Sequence, residues 1–187
     1  MKKQKIKTKE LILCSLFTSL IALGAFIRIP IPVVPFTLQF LFTMLAGLLL
    51  GGKLGSFSVL VYIVLGLIGL PIFAEGGGIG YVLKPSFGYI IGFCAGTFVT
   101  GSIANKVHNP SYKLLMVANF AGLFIVYAFG MVYYYIVSNY VLGIGIGLWP
   151  LFLYCFILAV PGDIVLCVIS AILAKRLIPF MNRKVRI

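Results

Sequence analysis

A chain of 187 residues in which 62% are hydrophobic and only 10% charged cannot bury its apolar side chains in one soluble core, which excludes a soluble enzyme. Its net charge of +12 comes from cations clustered between and beyond long apolar runs, a pattern of membrane topology and contact with anionic lipid heads, not of a nucleic-acid surface. With about 20 residues per span, this length allows at most six or seven helices and no separate soluble domain, so the expectation is one all-α, polytopic membrane domain over residues 1–187.

Residues 1–10, MKKQKIKTKE, read as a basic arm. The first span is expected over Leu11–Ile29, and the prolines at 30, 32 and 35 then break the helix because proline lacks an N–H donor. Inside that span Cys14, Thr18 and Ala22 recur every four residues, with Ser15 and Ser19 beside them. Small residues at that spacing let helices approach closely in lipid, and the row serves either internal packing or a partner protein. A shorter second span, Thr37–Gly51, opens near Gln39, whose amide can both donate and accept towards a ligand, and ends at Gly51-Gly52-Lys53.

The third span, Phe57–Phe73, leads into a segment with glycines at 76, 77, 78 and 80 that also holds Glu75 and Lys84. Irregular backbone at membrane depth survives only where protein or a water-filled cavity supplies hydrogen bonds. Opposite charges beside flexible backbone point to the wall or lid of a small-molecule pocket; the plainer alternative is a tight turn with both charges in water. A fourth span over Phe87–Ala104 carries Gly88, Gly92 and Gly96, a row suited to helix packing. After the polar turn containing His108, a fifth span runs over Leu114–Tyr140, where Asn119 is expected to bond a neighbouring helix. Val141–Val160 reads as a loop plus a short helix, or else as a seventh span, and Pro161–Ile178 forms the last span before a basic tail at 179–187.

Charge decides the count. With six spans and a cytoplasmic N-terminus, the inner side receives the five lysines of the arm, Lys53, Lys106, Lys113 and five cations at the end of the chain, Lys175, Arg176, Arg183, Lys184 and Arg186. Only Arg28 and Lys84 remain outside, whereas a seventh span would place the whole tail there. Two of the three acids, Glu75 and Asp163, fall at that same outer level. Asp163 in the sequence PGD stands in the first turn of the last helix, where free N–H groups favour a carboxylate. An ionisable group in a span faces a cavity or a partner. Gly47–Lys53 matches GxxxxGK only by chance: it ends a membrane helix, and Leu54 stands where a hydroxyl should bind magnesium. The four cysteines, at 14, 94, 155 and 167, have no metal or disulfide spacing, so neither a metal nor a cofactor is expected.

Four stretches together carry a resemblance. IPIPVVPFTLQ (Ile29 to Gln39), LGSFSVLVYIVLGLIGLPIFA (Leu54 to Ala74), the GGG and PSFGYIIGF pieces (Gly76 to Phe93) and PGD (Pro161 to Asp163) resemble the BioY-type biotin family of S-components, the substrate-binding subunits of energy-coupling factor transporters. The resemblance covers nearly all spans. It implies a six-helix, non-enzymatic subunit in the cell membrane that captures biotin from outside and docks to a transmembrane coupling subunit with two ATPases. The Cys14, Ser15, Thr18, Ser19 and Ala22 surface would then meet the coupling subunit.

On that reading Phe36, Phe73, Tyr81, Phe87 and Tyr89 enclose the ring and tail of the ligand, with Thr37, Gln39 and Glu75 at the same level. Asp163 accepts the ureido N–H groups, and Lys84 or Arg28 pairs with the ligand carboxylate. Two positions depart from the family pattern: Leu166 replaces a lysine three residues after the aspartate, and Ser86-Phe87-Gly88 replaces Thr-Gly-Gly before the tyrosine of the fourth span. These departures leave lipoate or dethiobiotin as alternative ligands. A stand-alone secondary transporter, with Asp163 and Glu75 carrying protons, is the alternative mechanism.

Overall fold

The computed structural model describes residues 7–29 and 35–183. Helix α1 spans Thr8–Phe26 and starts inside the expected basic arm, where the Lys7 backbone N–H donates to Glu10 Oε2 at 2.9 Å. It stops at Phe26, short of the expected Ile29. Arg28–Ile29 (β1) pairs antiparallel with Phe36–Thr37 (β2), Arg28 opposite Thr37 and Ile29 opposite Phe36. Pro30 and Pro32, the expected helix breakers, lie outside the described residues, as do residues 1–6 and 184–187 of the arm and tail.

Among the described residues five helices are long and apolar enough to cross a membrane, one fewer than expected, because the second and third spans are joined in one helical stretch, α2 (Gln39–Ile68). That stretch is not one rod. Gly51 adopts φ +85°, a conformation open to glycine and closed to a continuing helix. Along a straight helix Gln39 and Tyr62 would stand roughly 35 Å apart, yet Gln39 Nε2 donates to Tyr62 Oη at 2.6 Å. The chain therefore reverses at Gly51 into two adjacent rods. The second begins at Gly52, earlier than the expected Phe57.

Helix α3 (Phe87–Ala104) has the expected bounds and lies against both rods of α2. Thr97 Oγ1 donates to the Thr43 carbonyl at 3.2 Å on the first rod, and Ser56 Oγ on the second donates to the Cys94 carbonyl at 2.9 Å. Its glycine row packs inside the bundle as expected: a methyl added at Gly92 would meet the Val126 carbonyl at 2.8 Å, and one at Gly96 the Gly122 carbonyl at 2.8 Å. Their partner is α4 (Tyr112–Ile136), capped by Ser111 and extended by a wide turn over Val137–Val141. Val141–Val160 holds a loop, the short α5 (Leu148–Phe152) and a second wide turn, Leu153–Ile157, which run directly into α6 (Val160–Arg183). Asn119 ties α4 to α6, donating to the Cys167 carbonyl at 2.9 Å and to Ser170 Oγ at 2.7 Å. At the end of the bundle near Gly51, Lys175 Nζ holds Asn109 Oδ1 and the Pro110 carbonyl, both at 2.8 Å. The opposite end carries the strand pair, the glycine segment and the start of α6.

Candidate functional site: an aromatic cavity around Asp163

At that opposite end, side chains from β2, α2, α3, α4 and the α5–α6 connection enclose a cavity of about 60 Å³. Asp163 is the one acid in its lining, and no lysine or arginine among the described residues joins it there. Its residue is 9% exposed, and Oδ2 accepts a hydrogen bond from the Tyr127 hydroxyl at 2.6 Å. A bond that short is of the strong, charge-assisted kind when the acceptor is ionised. Tyr89 stands edge-on to Tyr127 with ring centroids 5.8 Å apart, and its hydroxyl donates to the Cys155 carbonyl at 3.1 Å.

Two glycines make room for these rings. A methyl on Gly130 would fall 2.5 Å from the Tyr89 ring, and one on Gly162 would fall 2.6 Å from the Phe36 ring. The PGD sequence thus supplies both the carboxylate and the seat for the aromatic wall opposite it.

A second polar chain enters from β2 and α2. Thr37 Oγ1 donates to Gln39 Oε1 at 3.2 Å, Gln39 Nε2 donates to Tyr62 Oη at 2.6 Å, and Tyr62 donates to the Ile72 carbonyl at 3.0 Å. Both Gln39 and Thr37 line the cavity, so the chain links its wall to the segment that precedes the glycines.

The glycine segment covers the outer side. Gly76 and Gly78 have φ +115° and +96°, and the Gly78 N–H closes on the Gly66 carbonyl at 2.7 Å. The segment is not wholly irregular: Ile79–Leu83 forms a 3₁₀ helix, held to α4 by Tyr133 Oη on the Val82 carbonyl at 2.6 Å. It brings Tyr81 into the cavity wall, where burial pushes the phenol above its ordinary pKa and keeps it neutral.

The charged residues stand one layer further out. Lys84 Nζ pairs with Glu75 Oε2 at 2.9 Å and sits 5.0 Å from the centroid of the Tyr81 ring. The Arg28 guanidinium donates to the Ala74 carbonyl. Arg28, Glu75 and Lys84 border an open cleft of about 550 Å³, which shares Ala74 with the inner cavity.

Of the expected ligand-binding residues, Phe36, Thr37, Gln39, Tyr81, Tyr89 and Asp163 line the inner cavity. Phe73 and Phe87 lie behind Tyr81, with ring centroids 4.5 Å and 6.4 Å from it, and buttress the wall without forming it. Leu166 is buried in the apolar core, not in the cavity lining.

The small residues of α1 divide. Cys14 and Thr18 point inward, Cys14 Sγ to the Leu54 carbonyl at 3.6 Å and Thr18 Oγ1 to the Ser58 carbonyl at 2.9 Å. Ala22 is half-buried, while Ser15 and Ser19 are exposed. The α1 row is thus partly internal packing, and only its serine edge faces outward.

Three further residues line the cavity: Tyr127, which sequence reasoning did not single out, Ser86, noted only as a departure from the family pattern, and Cys155, noted only as one of four cysteines without metal or disulfide spacing. Tyr127 carried a usable signal: a hydroxyl in the middle of an apolar span needs a partner.

The fold defines a polytopic helical membrane protein with a small aromatic cavity at one end. The BioY family model matches residues 1–183. A probable biotin transporter BioY of Lysinibacillus sphaericus is 47% identical over 170 residues, covering 91% of this chain and 87% of that protein. The biotin transporter BioY of Thermotoga maritima is 37% identical over 171 residues, covering 90% and 95%. The crystal structure of the S-component for biotin from an ECF-type ABC transporter aligns with a TM-score of 0.78 at 28% identity, covering 92% of this chain and 94% of that one. The chain belongs to the BioY family.

Proposed function

We propose that this protein is the biotin-binding membrane subunit of an energy-coupling factor transporter, which captures the vitamin from outside and passes it to a coupling subunit driven by two ATPases. The observation that carries the reading is a single carboxylate, Asp163, held by Tyr127 in an aromatic cavity, with Arg28 and Lys84 just beyond its outer wall. A neutral ring with N–H donors and a carboxylate on a flexible tail complements that arrangement. Asp163 takes the ureido N–H groups, aromatic rings enclose the apolar body, and the tail carboxylate points to the outer cleft, where Lys84 or Arg28 meets it. Small-molecule pockets hold roughly 300–1,000 Å³, so the walls around the 60 Å³ cavity part to admit the ring.

The orientation rests on charge. Lys53, Lys106, Lys113 and Lys175 gather at the end away from the site, which suits a cytoplasmic face with both termini on it. The site end then faces outward across the plasma membrane. Docking to the coupling subunit falls to the exposed Ser15–Ser19 edge of α1, with Ala22 at its margin.

Titration of purified protein in nanodiscs with biotin, dethiobiotin and lipoate tests the reading. Asp163→Asn should weaken biotin and dethiobiotin by about 1–3 kcal/mol, because a ligand N–H meets an amide that is partly a donor, and should leave lipoate nearly unchanged. Lys84→Met should weaken free biotin more than its neutral amide. Saturable binding of lipoate with none of biotin would replace the ligand, and indifference of all three to Asp163→Asn would move the site elsewhere.

A further inference from the structure

Tyr127 faces two environments. Its hydroxyl reaches Asp163 across the cavity, while its ring also forms part of a groove of about 420 Å³ on the outside of the bundle between α4 and the α5–α6 segment. Every other residue of that groove is apolar, Phe124, Met131 and Ile164 among them. The groove lies within helices apolar enough to cross a membrane, so its surroundings are hydrocarbon. One phenol ring therefore stands between a buried carboxylate and lipid.

We propose that Tyr127 is a positioning residue that sets the specificity of the site by acting on Asp163 and not on the ligand. This rests on the biotin-binding reading above. A carboxylate has about four lone-pair directions on two oxygens. Tyr127 occupies one of them on Oδ2, fixing the plane of the group and leaving Oδ1 and the rest of Oδ2 for donors in the cavity. A hydroxyl donor is matched to the ionised, acceptor-only form, and that form selects ligands presenting N–H groups and rejects those presenting lone pairs. The ring meanwhile keeps the charge from bordering hydrocarbon, where ionised groups are expensive. A phenylalanine would provide only the second function.

The test is a double-mutant cycle on the full chain in nanodiscs, read as biotin dissociation constants with thermal stability measured alongside. Tyr127→Phe keeps the ring and removes the donor. It should weaken biotin roughly tenfold, the low end for a lost hydrogen bond to a charged group, and should reduce the preference for biotin over lipoate by the same factor. In an Asp163→Ala background, where no acceptor remains, Tyr127→Phe should change biotin affinity by less than about twofold, the scatter of independent sites. Equal weakening in both backgrounds would show that Tyr127 touches the ligand or acts through packing, and would overturn the proposal. Tighter binding by Tyr127→Phe would mean that the phenol competes with the ligand for Asp163, which also overturns it. Wild-type protein without saturable biotin binding removes the functional reading itself, and the role of Tyr127 falls with it. Unchanged affinity in Tyr127→Phe with normal wild-type binding removes only the role of Tyr127.

Discussion

Tyr62→Phe isolates the polar chain behind the cavity with little change of shape. Tyr62 is fully buried, and its ring packs edge-on against Phe73 at 5.3 Å, a contact that phenylalanine keeps. What disappears is one oxygen that accepts from Gln39 Nε2 and donates to the Ile72 carbonyl. Leaving the Gln39 amide unpaired costs about 1–3 kcal/mol, and losing the bond to Ile72 about 0.5–1.5 kcal/mol more. The total of roughly 1.5–4.5 kcal/mol corresponds, at about 2–4 °C per kcal/mol for a chain of this size, to a fall in melting temperature of roughly 3–18 °C. Differential scanning fluorimetry on detergent-solubilised protein reads it directly. The second variant carries the argument. Gln39→Leu added to Tyr62→Phe removes the stranded amide and leaves without its acceptor only the Thr37 hydroxyl, which lines the cavity, so most of that cost is recovered. The double variant should therefore recover about 1 kcal/mol or more relative to Tyr62→Phe alone. If it is as destabilised as the two single losses added together, the hydrogen-bond chain is not what fixes this wall.

Gly162→Ala places a methyl 2.6 Å from the Phe36 ring, and overpacking of about 1–3 kcal/mol should appear as weaker biotin binding in calorimetry; unchanged affinity would mean that Phe36 is not part of the bound site. In a background with the four native cysteines replaced, Ile79→Cys should react with an impermeant maleimide from outside cells, and Val107→Cys only after the membrane is opened. Labelling of both from one side would refute the orientation. Ser19→Trp enlarges an exposed residue of α1 and should reduce uptake in cells carrying the whole transporter while leaving biotin binding by the purified subunit unchanged. Loss of both together would mean that this edge packs inside the subunit.

The helices were readable because lipid imposes a strict rule: backbone polar groups must be paired within the span, so long apolar runs become helices. The bounds of α3 follow from that rule, and the packing of Gly88, Gly92 and Gly96 follows from the spacing of small residues that lets helices approach closely. The rule is silent on how one helical stretch passes into another. Gly51 carries a reversal that leaves a single helical stretch, which reads as two spans in sequence and as one broken helix in the structure. The site was partly readable for a related reason. Charges are rare in such a chain, so Asp163 draws attention by its cost. Tyr127 draws less: its hydroxyl needs a partner, but it shares that need with other tyrosines among the ten of this sequence, and only three-dimensional proximity shows which of them meets Asp163. The same limit separated Cys14 and Thr18 from Ser15 and Ser19: spacing puts all four on neighbouring faces, and only the position of the second α2 rod decides which face is covered.

The division of charge between cavity and cleft has an energetic logic. A cation inside the 60 Å³ cavity would neutralise Asp163 and remove the acceptor that the site offers, besides bearing its own desolvation cost. Placed one layer out, Lys84 and its partner Glu75 stay 41% and 42% exposed, where an ion pair contributes only about 0–1 kcal/mol. Such a pair is cheap to break. A carboxylate arriving at the cleft can take the place of Glu75 on Lys84 with little loss. Within a Debye length of about 8 Å the two cations also draw that carboxylate towards the mouth. On the proposed reading the neutral end of the same molecule then reaches the buried Asp163. A ligand carrying its charge and its N–H donors at opposite ends satisfies both demands at once.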